Sequence, residues 1–439
     1  MVNKGTATIE SLAYGGNGVA RHKGKVLFIP YTAPGDVVFF ELTSERKNFS
    51  FARALEILTP SEERVNPVCP LFTRCGGCQW QHVGYERQLL EKKSIVRESL
   101  LRIAGVAGVD FTVDNIVKSP GEYGYRARVD LNFKVVGGEK RRSIIVGHLA
   151  PRSREIVPLQ ACPVLRPEID KRLQGLPDAL GRLGVRSGGE LKLVSGEGGE
   201  VAAVVYVQGS FGGDRSGVGK FAESLELKGA VVILKKDVKR GALVSGNPTV
   251  HYSVPAGGID RKLKLSAGGF LQGNPAVNRL LISRLTKFDF SNMKVLELYS
   301  GAGNLSIPVG LSGAELLGVE ENRYSVMDAQ KNAGLFGLAG VKFLKGDAAD
   351  SLNNLLRNAK GGGKFDAVIL NPPREGARDA IDGIVDLRPA HIFYISCAPP
   401  TLSRDVGELI KAGYRVREAI PFDMFPQTYH VETLCHLSI

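Results

Sequence analysis

Residues 295–310 read VLELYSGAGNLSIPVG: an apolar run, a glycine turn and the opening of a helix. Gly301 and Gly303 let the backbone turn sharply and approach a ligand closely, although the spacing is not a full dinucleotide fingerprint. The next apolar run, LLGVEEN, carries Glu320, 19 residues past Gly301. A doubly wound sheet sets a carboxylate there to accept from ribose hydroxyls. FLKGDAAD then puts Asp347 at a strand tip, and AVILNPPREG puts Asn371 at another. From residue 266 onward, such continuous apolar strands alternate with helix-like segments, which predicts a parallel sheet covered on both faces. Ligands bind these sheets beyond the carboxyl ends of the strands, so the four polar strand ends predict an adenosine-containing cofactor. S-adenosylmethionine fits better than NAD, because NPP has no role in a dinucleotide site.

Working outward, the fold class is multidomain α/β with three parts. Residues 1–60 alternate short β-rich runs such as KVLFIP and DVVFFEL with glycine turns, as in a small OB-like barrel. Residues 66–265 are strand-rich, after a linker at SEERVNPVCP. Within them a helical pattern starts at Tyr85 and is expected to extend over about 85–118, where it packs with the third part. A GGEK turn followed by Arg141 and Arg142 puts charge at a hairpin tip. Residues 266–439 form the Rossmann-like cofactor domain. The net charge of +12 is uneven: residues 66–269 carry 31 Lys+Arg against 20 Asp+Glu, whereas residues 270–439 balance at 18 each. That excess suits a polyanion such as nucleic acid and equally a solvated basic surface. No apolar run is long enough for a transmembrane helix, and MVNKGTATIESLAYGG lacks a signal-peptide core, so a cytoplasmic location without membrane contact is expected.

Six cysteines in such a chain argue for metal or catalysis rather than disulfides. Cys69, Cys75 and Cys78 form CPLFTRCGGC, and Cys162 stands in ACPVL; four thiolates suit either zinc or an iron–sulfur cluster, and the spacing leaves the metal open. Cys435 reads as core. Cys397, in YISCAPPTLSRD, taken alone is a small buried hydrophobe. Two prolines follow it, expected to end the strand and to bar a helix from starting at once, which leaves the thiol at the mouth of a site. Arg404 is the nearby cation expected to favour its ionised form and, with Phe270, a candidate substrate-binding residue.

Together, SCAPPTLSRD, FPQTYHVETLCHL, FLQGNPAVNRLL, ELYSGAGN and NPPR resemble the RNA uridine-C5 methyltransferases. The cysteine-rich segment and the N-terminal barrel resemble the RumA/RlmD-like branch, in which that barrel is a TRAM domain; the branch makes 5-methyluridine in 23S ribosomal RNA, and some relatives act on tRNA. The resemblance implies Cys397 as nucleophile and Glu432 as general base. It implies S-adenosylmethionine contacts at Gln272, Tyr299, Asn304, Glu320, Asp347 and Asn371, and sets Phe270 against the target base. It implies a structural 4Fe–4S cluster on Cys69, Cys75, Cys78 and Cys162, with zinc the alternative. The partner is RNA, with no obligate protein partner. The chemistry requires the pair: a thiolate adds to C6 so that C5 becomes nucleophilic, and a base then removes the C5 proton. The base must also be unstacked or extruded. Where the family has aspartate at the start of DPPR, this chain has Asn371, which offers both a carbonyl and an amide but no charge. The competing readings are a methyltransferase acting on an exocyclic amine, a catalytically impaired RNA-binding homologue, and a radical methylase with a three-cysteine cluster.

Overall fold

The computed structural model describes residues 4–105, 113–137, 142–209, 211–235, 241–358 and 364–439. At the N-terminus, six strands pair in the order Lys4–Thr8, Val37–Glu45, Phe49–Thr59, Lys25–Pro30, Asn17–His22, Ser11–Leu12. Lys4–Thr8 and Asn17–His22 approach each other although they are not neighbours, so the sheet curls around Ile9, Leu27, Ile29, Val38 and Phe40.

A second, seven-stranded sheet runs Leu243–Gly246, Gly229–Leu234, Val201–Val207, Gly189–Ser195, Arg128–Val136, Ser143–Leu149, Ile156–Pro158. Its central run, VAAVVYV, is apolar throughout because both faces are covered. Ala203 and Val205 share a core with the helices Leu176–Leu183 and Arg215–Ser224, whereas Ala202 and Val204 join the hairpin Thr249–Ala256 and Ile259–Ser266. That hairpin precedes the boundary expected at residue 265. It packs on the helices Pro275–Leu285, Ser306–Leu311 and Arg323–Leu335. The amides of Lys264 and Ser266 donate to Asn332 and Asp328 at 2.9 and 2.7 Å. It thus joins the central sheet to the C-terminal helices in one core; its alternating pattern does not say which neighbour it will cover.

The C-terminal sheet runs Val341–Lys345, Glu315–Glu320, Lys294–Leu298, Ala367–Leu370, His391–Ser396, Glu432–Ser438, Arg415–Phe422. The first five and the last, Arg415–Phe422, run parallel, and Glu432–Ser438 runs antiparallel between its two neighbours. Chain order reverses between Lys294–Leu298 and Ala367–Leu370, which opens a crevice at the carboxyl ends. The helix Tyr85–Ile103 lies against the helix Pro399–Lys411, with Val96 and Leu100 in one core with Leu402, Val406 and Leu409. It ends at Ile103 rather than near 118; Val113 and Val117 instead bridge to Ala419 and Phe422 at the sheet edge. Of the charged hairpin tip, residues 138–141 lie outside the described residues, and Arg142 is exposed.

The same helix clamps the loop 423–431 that leads into the last strand. Lys92 and Asp423 are both fully buried and meet at 2.5 Å. Lys92 Nζ also donates to the Phe425 carbonyl at 3.0 Å, and the Tyr85 hydroxyl donates to Asp423 at 2.7 Å. Gln88 and Gln427 exchange two hydrogen bonds of 3.0 Å. These hold Gln427 at φ 69°, a left-handed conformation that costs a non-glycine residue energy unless its surroundings fix it. Lys92→Met leaves Asp423 buried without its cation. We expect a loss of about 3–5 kcal/mol, read as an earlier urea unfolding midpoint with native secondary structure retained at zero denaturant.

Candidate active site

Tyr299 to Asn304 make the turn after the first strand of the C-terminal sheet. Tyr299, Gly301 and Gly303 all take positive φ, at 63°, 57° and 88°. The turn lines a small cavity together with Phe270, Leu271, Gln272 and Asn371, so four of the six expected cofactor contacts (Gln272, Tyr299, Asn304, Asn371) come together. Glu320 is held beside them: its two oxygens accept from Gly301 N–H at 2.9 Å and Asn322 N–H at 2.8 Å. Both oxygens keep a further lone pair for a ligand. Asp347 does not line the cavity; it accepts from the amides of Ala349 and Asp350 at the start of the helix Ala348–Asn358, and its charge acts on Tyr299.

Two further residues of this cavity escaped the sequence reading. Tyr252 reaches it from the hairpin Thr249–Ser266, and Glu297 lies under the turn, bonded to Ser306. Burial first, and the Glu320 charge second, push Glu297 up to about 8 despite the Ser306 bond, so it stays protonated at neutral pH. Among the described residues, Ser300 Oγ is buried in the cavity wall without a hydrogen-bond partner. A polar ligand with hydroxyl or amine groups, as S-adenosylmethionine has, meets that unmet need.

Cys397 follows the strand His391–Ser396 and is half-buried. The helix Pro399–Lys411 begins immediately after it, with Pro399 and Pro400 in its first turn, so the prolines do not delay a helix. Proline suits the first helical position because the amide it lacks has no partner there, and its fixed φ is already helical. Burial and the nearby Glu432 push the thiol up to about 11; Arg374 opposes them through its charge and a hydrogen bond. Arg374 is thus the cation at the thiol. Arg404, expected there, instead pairs with Asp405 and donates to the Glu375 carbonyl at 2.9 Å. Arg374 sits in the NPPR loop, which Thr401 ties to the helix Pro399–Lys411 by donating to the Arg374 carbonyl at 3.0 Å. Glu432, 3% exposed, is pushed up to about 7 by burial.

Arg374 also lines a broad cleft, whose lining does not include Cys397 or Glu432. Arg126, Arg128, Arg152, Arg154 and Arg374 line it, with Phe425, Tyr429 and His430 between them. Phe270 and Leu271 line both the cleft and the cofactor cavity. Phe270 is 56% exposed, with Arg128 over its ring at 5.3 Å. Arg152 lies 5.7 Å from the Phe51 ring, joining the cleft to the N-terminal sheet and its Phe28, Phe49 and Phe51 cluster. Guanidinium groups interleaved with aromatic rings suit a single-stranded polyanion whose bases stack.

Cys69, Cys75, Cys78 and Cys162 line a separate closed cavity that shares Gly77, Arg126 and His148 with the cleft wall. Gly76 makes the approach possible: its amide donates to the Leu149 carbonyl at 3.0 Å, and an added Cβ would stand 2.8 Å from that oxygen. Burial, and then the other cysteines, push Cys78 up to about 11 and Cys162 to about 12. Among the described residues, no three His, Cys, Asp or Glu side chains gather into a group that could hold a metal ion. The thiols ring a cavity rather than a point. Cys435 is fully buried in the last strand. Among the described residues, no helix is long and apolar enough to cross a membrane.

Residues 243–438 match the family described as tRNA (Uracil-5-)-methyltransferase, and residues 6–62 match the TRAM domain of tRNA (uracil(54)-C(5))-methyltransferase. The 23S rRNA (uracil(1939)-C(5))-methyltransferase RlmD of Pectobacterium atrosepticum is 33% identical over 98% of this chain and 92% of its own length. The enzyme of the same description from Photorhabdus laumondii is 33% identical over 99% and 96%. A Pyrococcus abyssi tRNA (uracil-54, C5)-methyltransferase, solved with S-adenosyl-L-homocysteine, shares the fold over 99% of this chain and all of its own, with a TM-score of 0.69 at 24% identity.

The charges around the thiol can be tested without a substrate. Glu432→Gln removes a group that raises the Cys397 thiol. Its thiolate then forms at lower pH, and iodoacetamide labels Cys397 faster at pH 8 than in the wild type, followed by peptide mass spectrometry. Unchanged labelling would separate the two groups electrostatically.

Proposed function

Because this chain belongs to the RNA uracil-C5 methyltransferase family, in which it uses S-adenosylmethionine, we propose that it methylates a uridine of 23S ribosomal RNA through Cys397 and Glu432. The supporting observation is one juxtaposition: the Cys397 thiol is acted on by the buried Glu432 carboxyl, itself pushed up to about 7, and by Arg374, which lines an arginine-rich cleft that meets the cofactor cavity at Phe270. The substrate assignment rests on the RlmD relatives, whose printed activity is on 23S rRNA. The TRAM domain and the basic cleft contribute RNA contacts, and the reaction takes place in the cytoplasm.

The cofactor supplies an electrophilic methyl group on a sulfonium. Gln272, Tyr299, Asn304 and Asn371 would line its place, with Glu320 and Asp347 at the edge. The Cys397 thiolate, favoured by Arg374, forms a bond to uracil C6 while the C5–C6 π electrons move to O4. C5 then takes the methyl group as the sulfonium releases it. Glu432 accepts the C5 proton, the C5–C6 double bond re-forms, and the bond from Sγ to C6 breaks to return the thiolate. A base that ionises near neutral pH balances strength against availability. Phe270 packs on the extruded uracil, and Asn371 accepts from N3–H without needing a charge.

Cys69, Cys75, Cys78 and Cys162, which line one cavity, would hold a 4Fe–4S cluster, which when bound would tie the linker to the central sheet. Protein purified without oxygen is expected to contain about four irons with matching sulfide per chain; one zinc and no sulfide would replace the cluster with the alternative.

Two measurements test the chemistry. Cys397→Ala abolishes transfer from labelled S-adenosylmethionine to unmodified 23S rRNA; full activity would remove it as nucleophile. Glu432→Gln still methylates but cannot release, so a covalent RNA–protein adduct accumulates on a denaturing gel. In the wild type, Glu432 must be ionised to accept the proton, so the single-turnover release rate rises with pH through about 7. Mapping 5-methyluridine in RNA from cells lacking the gene decides between 23S rRNA and a tRNA loop.

A further inference from the structure

The N-terminal sheet reaches the reaction centre. Its turn Ala13–Asn17 is closed by Ala13 N–H to the Asn17 carbonyl (2.8 Å) and Gly16 N–H to the Ala13 carbonyl (3.0 Å). The turn is seated against Gln79, Trp80 and the clamped loop. Trp80 Nε1 donates to the Gly16 carbonyl at 3.2 Å, and the Gln79 and Trp80 amides donate to the Gln427 carbonyl at 3.1 and 3.0 Å. At Gly16, φ is 90°, and an added Cβ would stand 2.9 Å from Gln79 Cβ and 3.3 Å from Tyr429 Cδ1. Only glycine lets the turn sit this close.

The seated turn presents Tyr14. Its ring meets Tyr429 edge-on at 5.1 Å between centroids, and the Tyr429 ring lies 4.2 Å from that of His430. His430 Nε2 stands 3.4 Å from an Arg374 Nη, and Thr401, four residues past Cys397, donates to the Arg374 carbonyl at 3.0 Å, which keeps Arg374 near the thiol that its charge lowers. Among the described residues, His430 Nδ1 is buried without a hydrogen-bond partner, so ring contacts with Tyr429 and Phe425 orient the imidazole. Burial and the cations Arg374, Lys92 and Arg126 push His430 down to about 3, so it stays neutral.

We infer that Tyr14 is a positioning residue for the methylation: pressing on Tyr429 and thereby on His430, it holds Arg374 beside Cys397. The inference rests on the reading of Cys397 as the nucleophile. It adds that the N-terminal sheet completes the reaction centre as well as offering RNA contacts. The electrostatics agree. Burial, Tyr429 and Cys397 push the Tyr14 phenol up to about 12 while Arg374 pulls it down, so the phenol stands within the same charged group. The charged and titratable groups acting on the thiol are then Glu432, Arg374 and Tyr14, with neutral His430 beside Arg374.

The test uses the full chain with Tyr14→Ala and Tyr14→Phe, and three readouts. These are single-turnover methyl transfer at saturating 23S rRNA transcript, the RNA Kd by filter binding, and the pH dependence of Cys397 alkylation in the free protein. With Tyr14→Ala, transfer slows by at least about ten-fold, the scale of a small misalignment of reacting groups, while Kd changes little. Alkylation moves to higher pH because the guanidinium no longer favours the thiolate. Tyr14→Phe keeps the ring contact and restores both. A loss confined to Kd, with transfer at saturation and the alkylation profile as in the wild type, would overturn the inference and leave the sheet an RNA arm. If the wild type methylates no uridine, the functional reading fails, yet the alkylation profiles still judge Tyr14. If Tyr14→Ala does not fold, Tyr14→Leu keeps an apolar side chain without the ring, and the same three readouts apply.

Discussion

The buried ion pair between Lys92 and Asp423 is the constraint on which the site depends. Burial lowers the Lys92 ammonium from its usual range, and only the Asp423 carboxylate opposes that. Such a pair adds little net stability over an apolar filling, because both charges give up their water. It is costly to break, however, and so it admits one register of helix against loop. With Asp423 fixed, Phe425, Gln427, Tyr429, His430 and Glu432 follow at set positions along a short stretch. Phe425, Tyr429 and His430 then line the cleft, Tyr429 meets the N-terminal turn, Glu432 acts on the thiol, and Gln427 ties the loop to Gln88.

The reaction centre shows how burial sets opposite tasks for like groups. Glu297 and Glu432 are both buried acids that ionise reluctantly. Glu297 has a serine bond, lies under the cofactor turn and stays protonated, which keeps a second negative charge away from Glu320. Glu432, pushed up to about 7, has the half-ionised state near neutrality that the proposed proton transfer asks of a base. The thiol is pushed up by burial and Glu432, and Arg374 opposes both from a loop tied to the helix Pro399–Lys411. Breaking the tie between loop and helix would therefore alter reactivity without touching either reacting atom.

Much of this was legible in the sequence, and what was missed shares a cause. The turn at Gly301 and Gly303, the acid after the next strand and the cysteine after the fifth strand are local patterns, each with its own physical signature. Four cysteines at uneven spacing were readable as one group because few residue types have so narrow a use. Contacts between distant segments left no such mark. Arg374 and Arg404 are equally plausible partners for Cys397 in one dimension; the fold sets one on the thiol and turns the other to Asp405. Tyr14, Tyr252 and Lys92 lie far from the motif residues they serve. The prolines after Cys397 misled for a different reason: proline breaks the interior of a helix but is welcome in its first turn.

The clamped loop has a consequence for how the protein is made. Chains emerge from the ribosome N-terminus first, and domains fold as they appear. The turn Ala13–Asn17 and the helix Tyr85–Ile103 are made well before residues 423–432. Until those follow, Lys92 has no buried carboxylate, Tyr14 has no Tyr429 to lean on, and Cys397 has no Glu432 beside it. A product truncated before Asp423 would carry the thiol, the turn at Gly301 and Gly303 and the cleft's arginines without the loop that Lys92 clamps.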